Sequence, residues 1–212
     1  MIYYDIHTHQ PSVHPEDIAI VNTIIREECD LSMPAQWCSA GIHPWYIHNV
    51  DKQISCLESI ASSSAIVAIG EAGLDKLVKT PLEIQKNVFL RQAELAEKLN
   101  KPLIIHCVKA WGELIAIRKV VKPYVPWIIH GFRGNGELAQ QLSSQGFYLS
   151  FGEHFNPAAL QAAWPDRIFA ETDDKELDIR DVYRQMASSL QLSLEMLTSV
   201  LEKNVHRVFT VV

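Results

Sequence analysis

Short apolar runs, each closed by a polar side chain, recur along the whole chain. Residues 2–6 lead into His7-Thr8-His9, residues 65–70 into Glu71, 102–105 into His106, 127–129 into His130, and 167–172 into Asp173. Runs this short and this apolar read as strands buried on both faces, as in a parallel sheet. The pattern predicts eight strands, at residues 2–6, 18–25, 37–42, 65–70, 103–106, 128–130, 147–151 and 168–170. Between most of them the spacing of apolar residues changes to that of a helix. The clearest helix spans 81–99: Thr80-Pro81-Leu82-Glu83 reads as a capping box, and Leu82, Phe89, Ala93 and Ala96 share one face. Asp178 is placed to cap a second helix with Ile179, Val182, Met186 and Leu190 on one side, and a last helix runs over 193–203.

Strands alternating with helices predict an α/β fold with a parallel sheet, and eight strands predict a TIM-type (β/α)8 barrel. Too few residues separate the first and third strands for two full crossover helices. The barrel is therefore expected to be abbreviated or distorted around residues 10–40, and the short connections leave room for an oligomer. No composition break, repeat or low-complexity stretch divides the chain, so residues 1–212 are expected to form a single domain.

Composition narrows the function classes. The net charge of −6 supplies no bulk basic field for nucleic acid, so an anionic substrate must be held by local charge or by metal ions. The four cysteines, Cys29, Cys38, Cys56 and Cys107, form no C-x-x-C pair and no disulfide framework, which predicts thiols in a reducing compartment. The N-terminal segment has no signal-peptide pattern and no run reaches membrane-spanning length, so a cytoplasmic protein with no membrane partner is expected.

The residues that close the strands carry the chemistry. Loops at the C-terminal ends of barrel strands form the active face, so His7, His9, Glu71, His106, His130 and Asp173 are expected to meet there as metal ligands. His7 and His9 are two apart on a strand and so point to the same side. Glu71 ends a very apolar run, where a carboxylate is costly unless it is paired or metal-bound, and its two oxygens can bridge two cations. Two divalent ions held this way lower the pKa of a bound water and polarise a phosphoryl or acyl oxygen. Glu71 and Asp173 are then the catalytic candidates, Glu71 as bridge and Asp173 as the group that orients or deprotonates the water. Mixed imidazole and carboxylate ligands suit Zn²⁺, Mn²⁺, Fe²⁺ or Ni²⁺ better than Mg²⁺, which remains a candidate activator.

These residues resemble the TatD family of metal-dependent hydrolases. The resemblance rests on Asp5-Ile6-His7-Thr8-His9, Gly41-Ile42-His43-Pro44, residues 69–75 (Ile-Gly-Glu-Ala-Gly-Leu-Asp), Ile105-His106-Cys107, His130-Gly131-Phe132 and Glu171-Thr172-Asp173. Residues 204–209 (Asn-Val-His-Arg-Val-Phe) are similar to the family's closing signature. The resemblance implies a TIM barrel of the amidohydrolase superfamily and a deoxyribonuclease activity. It implies that His7, His9, Glu71 and Asp173 hold one metal, and that Glu71, His106 and His130 hold a second. It also places His43 in the substrate cleft. The chain departs from the family pattern by its shortness over 10–40, by Val108-Lys109 after His106, by Gly131-Phe132-Arg133-Gly134 after His130, and by Lys76 after Asp75.

Substrate contacts are expected from His43, Lys109 and Arg133, with Lys76 a further cation just past a ligand and Arg133 the best placed for bidentate phosphate binding. His154, Trp45, Tyr46, Trp111 and Phe155 also fall near predicted strand ends, where aromatics can stack on bases. DNA is the first substrate reading. A small phosphoester, amide or lactone is the alternative, and a metal-stabilised binding protein without catalysis is the third.

Overall fold

Eight strands form one sheet in the order in which the chain supplies them: β1 Tyr4–Thr8, β2 Ile18–Ile24, β3 Cys38–Gly41, β4 Ile66–Asp75, β5 Leu103–Val108, β6 Trp127–Ile129, β7 Tyr148–Phe151 and β8 Ile168–Ala170. The structure, a computed structural model, describes residues 1–26 and 37–209. The β1–β2, β3–β4, β4–β5, β6–β7 and β7–β8 pairs are parallel. A further parallel bridge joins Thr8 to Asp173, just beyond β8. Among the described residues there are seven α-helices: α1 Val50–Ala61, α2 Leu82–Leu99, α3 Trp111–Val121, α4 Gly136–Ser144, α5 Pro157–Ala163, α6 Ile179–Leu190 and α7 Leu194–Val208. This is the sequential order of a TIM-type (β/α)8 barrel, as the hydrophobic pattern predicts. Residues 9–17 join β1 to β2 without a helix, as expected of the short spacing; the rest of the expected irregularity, with Cys29, falls on residues 27–36, outside the described residues. Among the described residues no helix is long and apolar enough to cross a membrane.

The chain divides into two compact units, Asn22–Trp127 and Met1–Val21 with Ile128–Val212. In the first, α2 packs on β4, and two buried glutamines of α2 secure the strand ends. Gln85 and Gln92 are two turns apart and so share a helix face. Gln92 accepts from the Ile42 amide at 2.7 Å and donates to the Ile42 carbonyl at 3.1 Å. Gln85 does the same for Asp75, at 2.7 and 2.9 Å. Backbone groups leaving a sheet need partners when buried, and here side-chain amides supply both donor and acceptor. Thr80 does not cap α2: Pro81 is the N-cap and no side chain bonds there. Thr80 instead gives its carbonyl to Gln85 at 2.7 Å, so the backbone, not the hydroxyl, is used.

In the second unit, Tyr183 of α6 is fully buried, and its hydroxyl accepts from the Tyr4 amide at 3.0 Å and donates to the Tyr4 carbonyl at 3.1 Å. Asp178 caps α6 as predicted, accepting from the Arg180 amide at 2.9 Å. The last helix has Ser193 as its N-cap, where the pattern starts it, and runs on to Val208, past the expected end at Lys203. Its Asn204 donates to the carbonyls of Pro165 and Ile168, at 2.9 and 3.1 Å, and Phe209 is buried against Phe169. The closing Asn-to-Phe segment thus ties α7 to the start of β8. Asn204→Ala strips two carbonyls of their donor in a buried place, which is expected to cost about 2 kcal/mol. A urea melt should show the midpoint fall with an unchanged slope.

Two further expectations are corrected. Glu71 does not end its strand: β4 runs on to Asp75, with the pairing to β5 shifted between Ile69 and Ala72. Cys56 is disulfide-bonded rather than a thiol, a pairing that sequence spacing cannot reveal because the fold decides which cysteines approach. Cys38 and Cys107 are buried thiols, pushed by burial up to about 11 and about 12.

Candidate metal centre

In the unit containing both chain termini, β1 and the segment after β8 are locked together where the candidate ligands His7, His9 and Asp173 lie. The Asp173 amide donates to the His7 carbonyl at 3.0 Å, and the His9 amide donates to the Asp173 carbonyl at 2.9 Å. Asp173 adopts a left-handed backbone with φ 56°, an accessible conformation for aspartate. Its Oδ1 then lies 3.6 Å from Nε2 of both His7 and His9. The i, i+2 spacing works as expected: both rings face the same carboxylate. His7 is fully buried, while His9 and Asp173 keep about a third and a quarter of their side chains exposed, so the cluster opens outward. His130 packs its ring 4.2 Å from that of His7. Behind the cluster, buried Asp5 accepts from the Thr172 hydroxyl at 2.6 Å and from the Thr172 and His7 amides at 3.2 and 3.3 Å. Burial pushes the Asp5 carboxyl up to about 7, against the lowering effect of the Thr172 bond.

The other unit holds a second cluster. Glu71 Oε1 lies 3.1 Å from His43 Nε2 and 3.0 Å from His106 Nδ1. Its Oε2 accepts from the Asn22 side chain at 3.0 Å, while the Glu71 amide donates to Asn22 Oδ1 at 3.1 Å. Ser39 adds a third bond to Asn22, at 3.2 Å. His106 turns its other nitrogen to Asp75, 3.2 Å away. Burial alone would raise the Asp75 carboxyl, but bonds from Trp45, the Leu77 amide and His106 outweigh it and hold it below its ordinary value. A carboxylate behind an imidazole fixes which nitrogen keeps the proton and which is offered to a metal.

The donor chemistry fits divalent ions in both places. The ligand atoms of His7, His9 and Asp173 lie within 4.8 Å of one another, as do those of His43, Glu71 and His106. Ligands about 2.1 Å from one ion are at most about 4.2 Å apart, so a small closing suffices. His43 sits with Glu71 rather than apart from it. Its Nδ1 accepts from the Trp45 amide at 3.1 Å, so a neutral His43 carries its proton on Nε2, facing Glu71. That tautomer donates a hydrogen bond.

The expected substrate contacts are scattered. Arg133 is exposed and lines a narrow cleft with Gly131, Glu171, Asp173, His154 and Lys175. Lys109 is exposed on a left-handed residue after β5, and Lys76 pairs with Glu113 at 2.6 Å. Trp45, although more than half exposed, is tied through its indole to Asp75 at 2.7 Å. Sequence reasoning missed Asn22, Asp75 and Glu171 as partners of the ligands. The last two sit inside the quoted Gly-Leu-Asp and Glu-Thr-Asp motifs, which was a usable signal; Asn22 stands in an otherwise ordinary strand and gave none.

A family model described as TatD related DNase matches residues 9–210. The metal-dependent hydrolase YabD of Bacillus subtilis (strain 168) is 30% identical over 198 residues, covering 82% of this chain and 78% of its own. The 3'-5' ssDNA/RNA exonuclease TatD of Cronobacter turicensis is 32% identical over 167 residues, covering 72% of this chain and 62% of its own. Among solved structures, the TatD homologue YJJV of Escherichia coli K12 superposes with a TM-score of 0.82 over 98% of both chains at 18% identity, which speaks to the fold. The chain therefore belongs to the TatD-related DNase family of metal-dependent hydrolases.

Proposed function

We propose that this protein hydrolyses phosphodiester bonds of DNA with two divalent metal ions. His7, His9 and Asp173 hold one ion, Glu71 and His106 a second, and His130 is the sixth ligand. The observation that carries the reading is that each cluster joins imidazoles to a carboxylate already within ligand spacing, in a chain of this family. The ions would supply positive charge to the phosphoryl oxygens and lower the pKa of water. Asp173, partly exposed beside His9, takes the proton of the attacking water. Arg133 and Lys109 hold the phosphate, Arg133 through its planar fork, and His43 keeps its Nε2 proton on Glu71, steadying that carboxylate.

The test is a nuclease assay on labelled single- and double-stranded oligonucleotides with added Mn²⁺, Zn²⁺ or Mg²⁺. Asp173→Ala is expected to lower the rate about a hundredfold, the scale of losing one preorganised charge at the reacting centre. Protein that binds no divalent metal under any condition would sink the proposal. The net charge of −6 favours a second reading, a small phosphoester substrate. Cleavage of bis-p-nitrophenyl phosphate with intact DNA would select it.

A further inference from the structure

Behind His106 stands Asp75, with its Oδ2 3.2 Å from the imidazole nitrogen that faces away from Glu71. Glu171 occupies the matching place behind His130. Its side chain is wholly buried, and its Oε1 accepts from the Gly131 amide at 2.5 Å and lies 3.6 Å from His130 Nδ1. Its Oε2 is buried with no hydrogen-bond partner among the described residues. An enclosed carboxylate is costly unless it acts on a positive or proton-donating group. The nearby groups of that kind are the Gly131 amide, already engaged, and the His130 ring. The backbone places both beside one oxygen. Gly131 follows His130 directly, so its amide reaches Glu171 from beside the ring; the Glu171 amide is itself anchored to the Phe151 carbonyl at 3.1 Å.

We infer that Glu171 is a positioning residue for His130: its Oε1 accepts a hydrogen bond from Nδ1–H, fixing the Nδ1–H tautomer and leaving the Nε2 lone pair for a metal ion. The inference rests on the reading of His130 as a ligand. The 3.6 Å separation is longer than a hydrogen bond, and a modest rotation of the imidazole closes it. Binding an ion at Nε2 makes Nδ1–H a stronger donor, so the contact tightens when the site is loaded. The competing role is direct ligation, because ligand atoms of His130, Glu171 and Asp173 also lie within 4.8 Å of one another. The engagement of Oε1 with the Gly131 amide favours positioning.

Two measurements on the full chain decide the matter. Histidine ¹⁵N NMR of the metal-free protein reads the His130 tautomer directly. Calorimetric titration with Zn²⁺ reads affinity and the number of ions bound. Wild type should show His130 as Nδ1–H. Glu171→Met should mix the tautomers and weaken Zn²⁺ binding roughly 10–100-fold at unchanged stoichiometry. Glu171→Gln, whose carbonyl still accepts a hydrogen bond from Nδ1–H, should restore the tautomer and most of the affinity, and it keeps the test alive if the Met variant does not fold. An Nε2–H tautomer in wild type overturns the inference. So does a Met variant with unchanged tautomer and affinity, or a Gln variant that binds one ion fewer, which would make Glu171 a ligand. A wild-type tautomer that depends on Glu171 in a protein binding no Zn²⁺ upholds the positioning and removes the ligand reading instead.

Discussion

Glu71→Gln should leave the chain folded and reduce metal-dependent hydrolysis about a thousandfold, roughly 4 kcal/mol of transition-state stabilisation. The carboxylate is 4% exposed and does three things at once. Oε1 faces the nitrogens of His43 and His106, Oε2 takes the Asn22 amide, and the backbone N–H is held by the same asparagine. A glutamine fills the same volume and can keep the Asn22 bond. Its NH2 must then face His43 Nε2, which carries the proton, so two donors oppose each other where an anion stood. The charge that would bind a divalent ion is gone as well. Metal analysis should therefore show the loss alongside the rate, while the urea midpoint moves by about 1 kcal/mol or less. Asn22→Ala should act in the same direction more weakly, about tenfold in metal affinity, because it frees the carboxylate without removing it. A Glu71→Gln variant with full metal content and full activity would dismiss this cluster from the chemistry.

The candidate ligands were legible because their positions obey local rules. An apolar run of strand length ends, and the next polar residue faces the strand-end side; a two-residue spacing puts His7 and His9 on one face. Strand positions followed from the same pattern, and β8 was predicted to the residue. What supports the ligands was not legible. Asn22 reaches Glu71 from 49 positions away, and Asp75 reaches His106 from 31, through strand register that no local pattern encodes. The run to Glu71 looked finished at Gly70 because the polar side chain reads as an end, whereas β4 carries that carboxylate inside the strand and stops at Asp75. Thr80 looked like a cap for the same reason: the motif specifies residue types, and the proline after it took the N-cap position. Helices α1, α3, α4 and α5 were not specified individually, since α3 and α4 bury only one or two side chains each and their apolar periodicity is weak.

Gly70→Ala is expected to be strongly destabilising, lowering Tm by about 8–16 °C. Gly70 has φ +134°, a conformation that a side chain rarely adopts and that costs about 1–3 kcal/mol when forced. Space is also denied. A Cβ there would stand 2.4 Å from the Ile104 carbonyl oxygen and 3.0 Å from the Ile104 Cβ. Ile104 is the second residue of β5 and fully buried, so the collision is with backbone that cannot retreat without disturbing the sheet. Together the two effects come to at least about 4 kcal/mol. For a chain of this size each kcal/mol shifts Tm by about 2–4 °C, which sets the expected range. The surviving folded fraction should also bind metal poorly, since the displaced backbone is the one that presents Glu71 to Asn22. Gly112→Ala is the control. That glycine lies in α3 with nothing within 4 Å of an added Cβ, so alanine should stabilise by about 0.5–1 kcal/mol. If Gly70→Ala melted with wild type while Gly112→Ala gained its increment, residues 70 and 104 would not approach as closely as described, and the placement of Glu71 would have to be rebuilt from a different strand register.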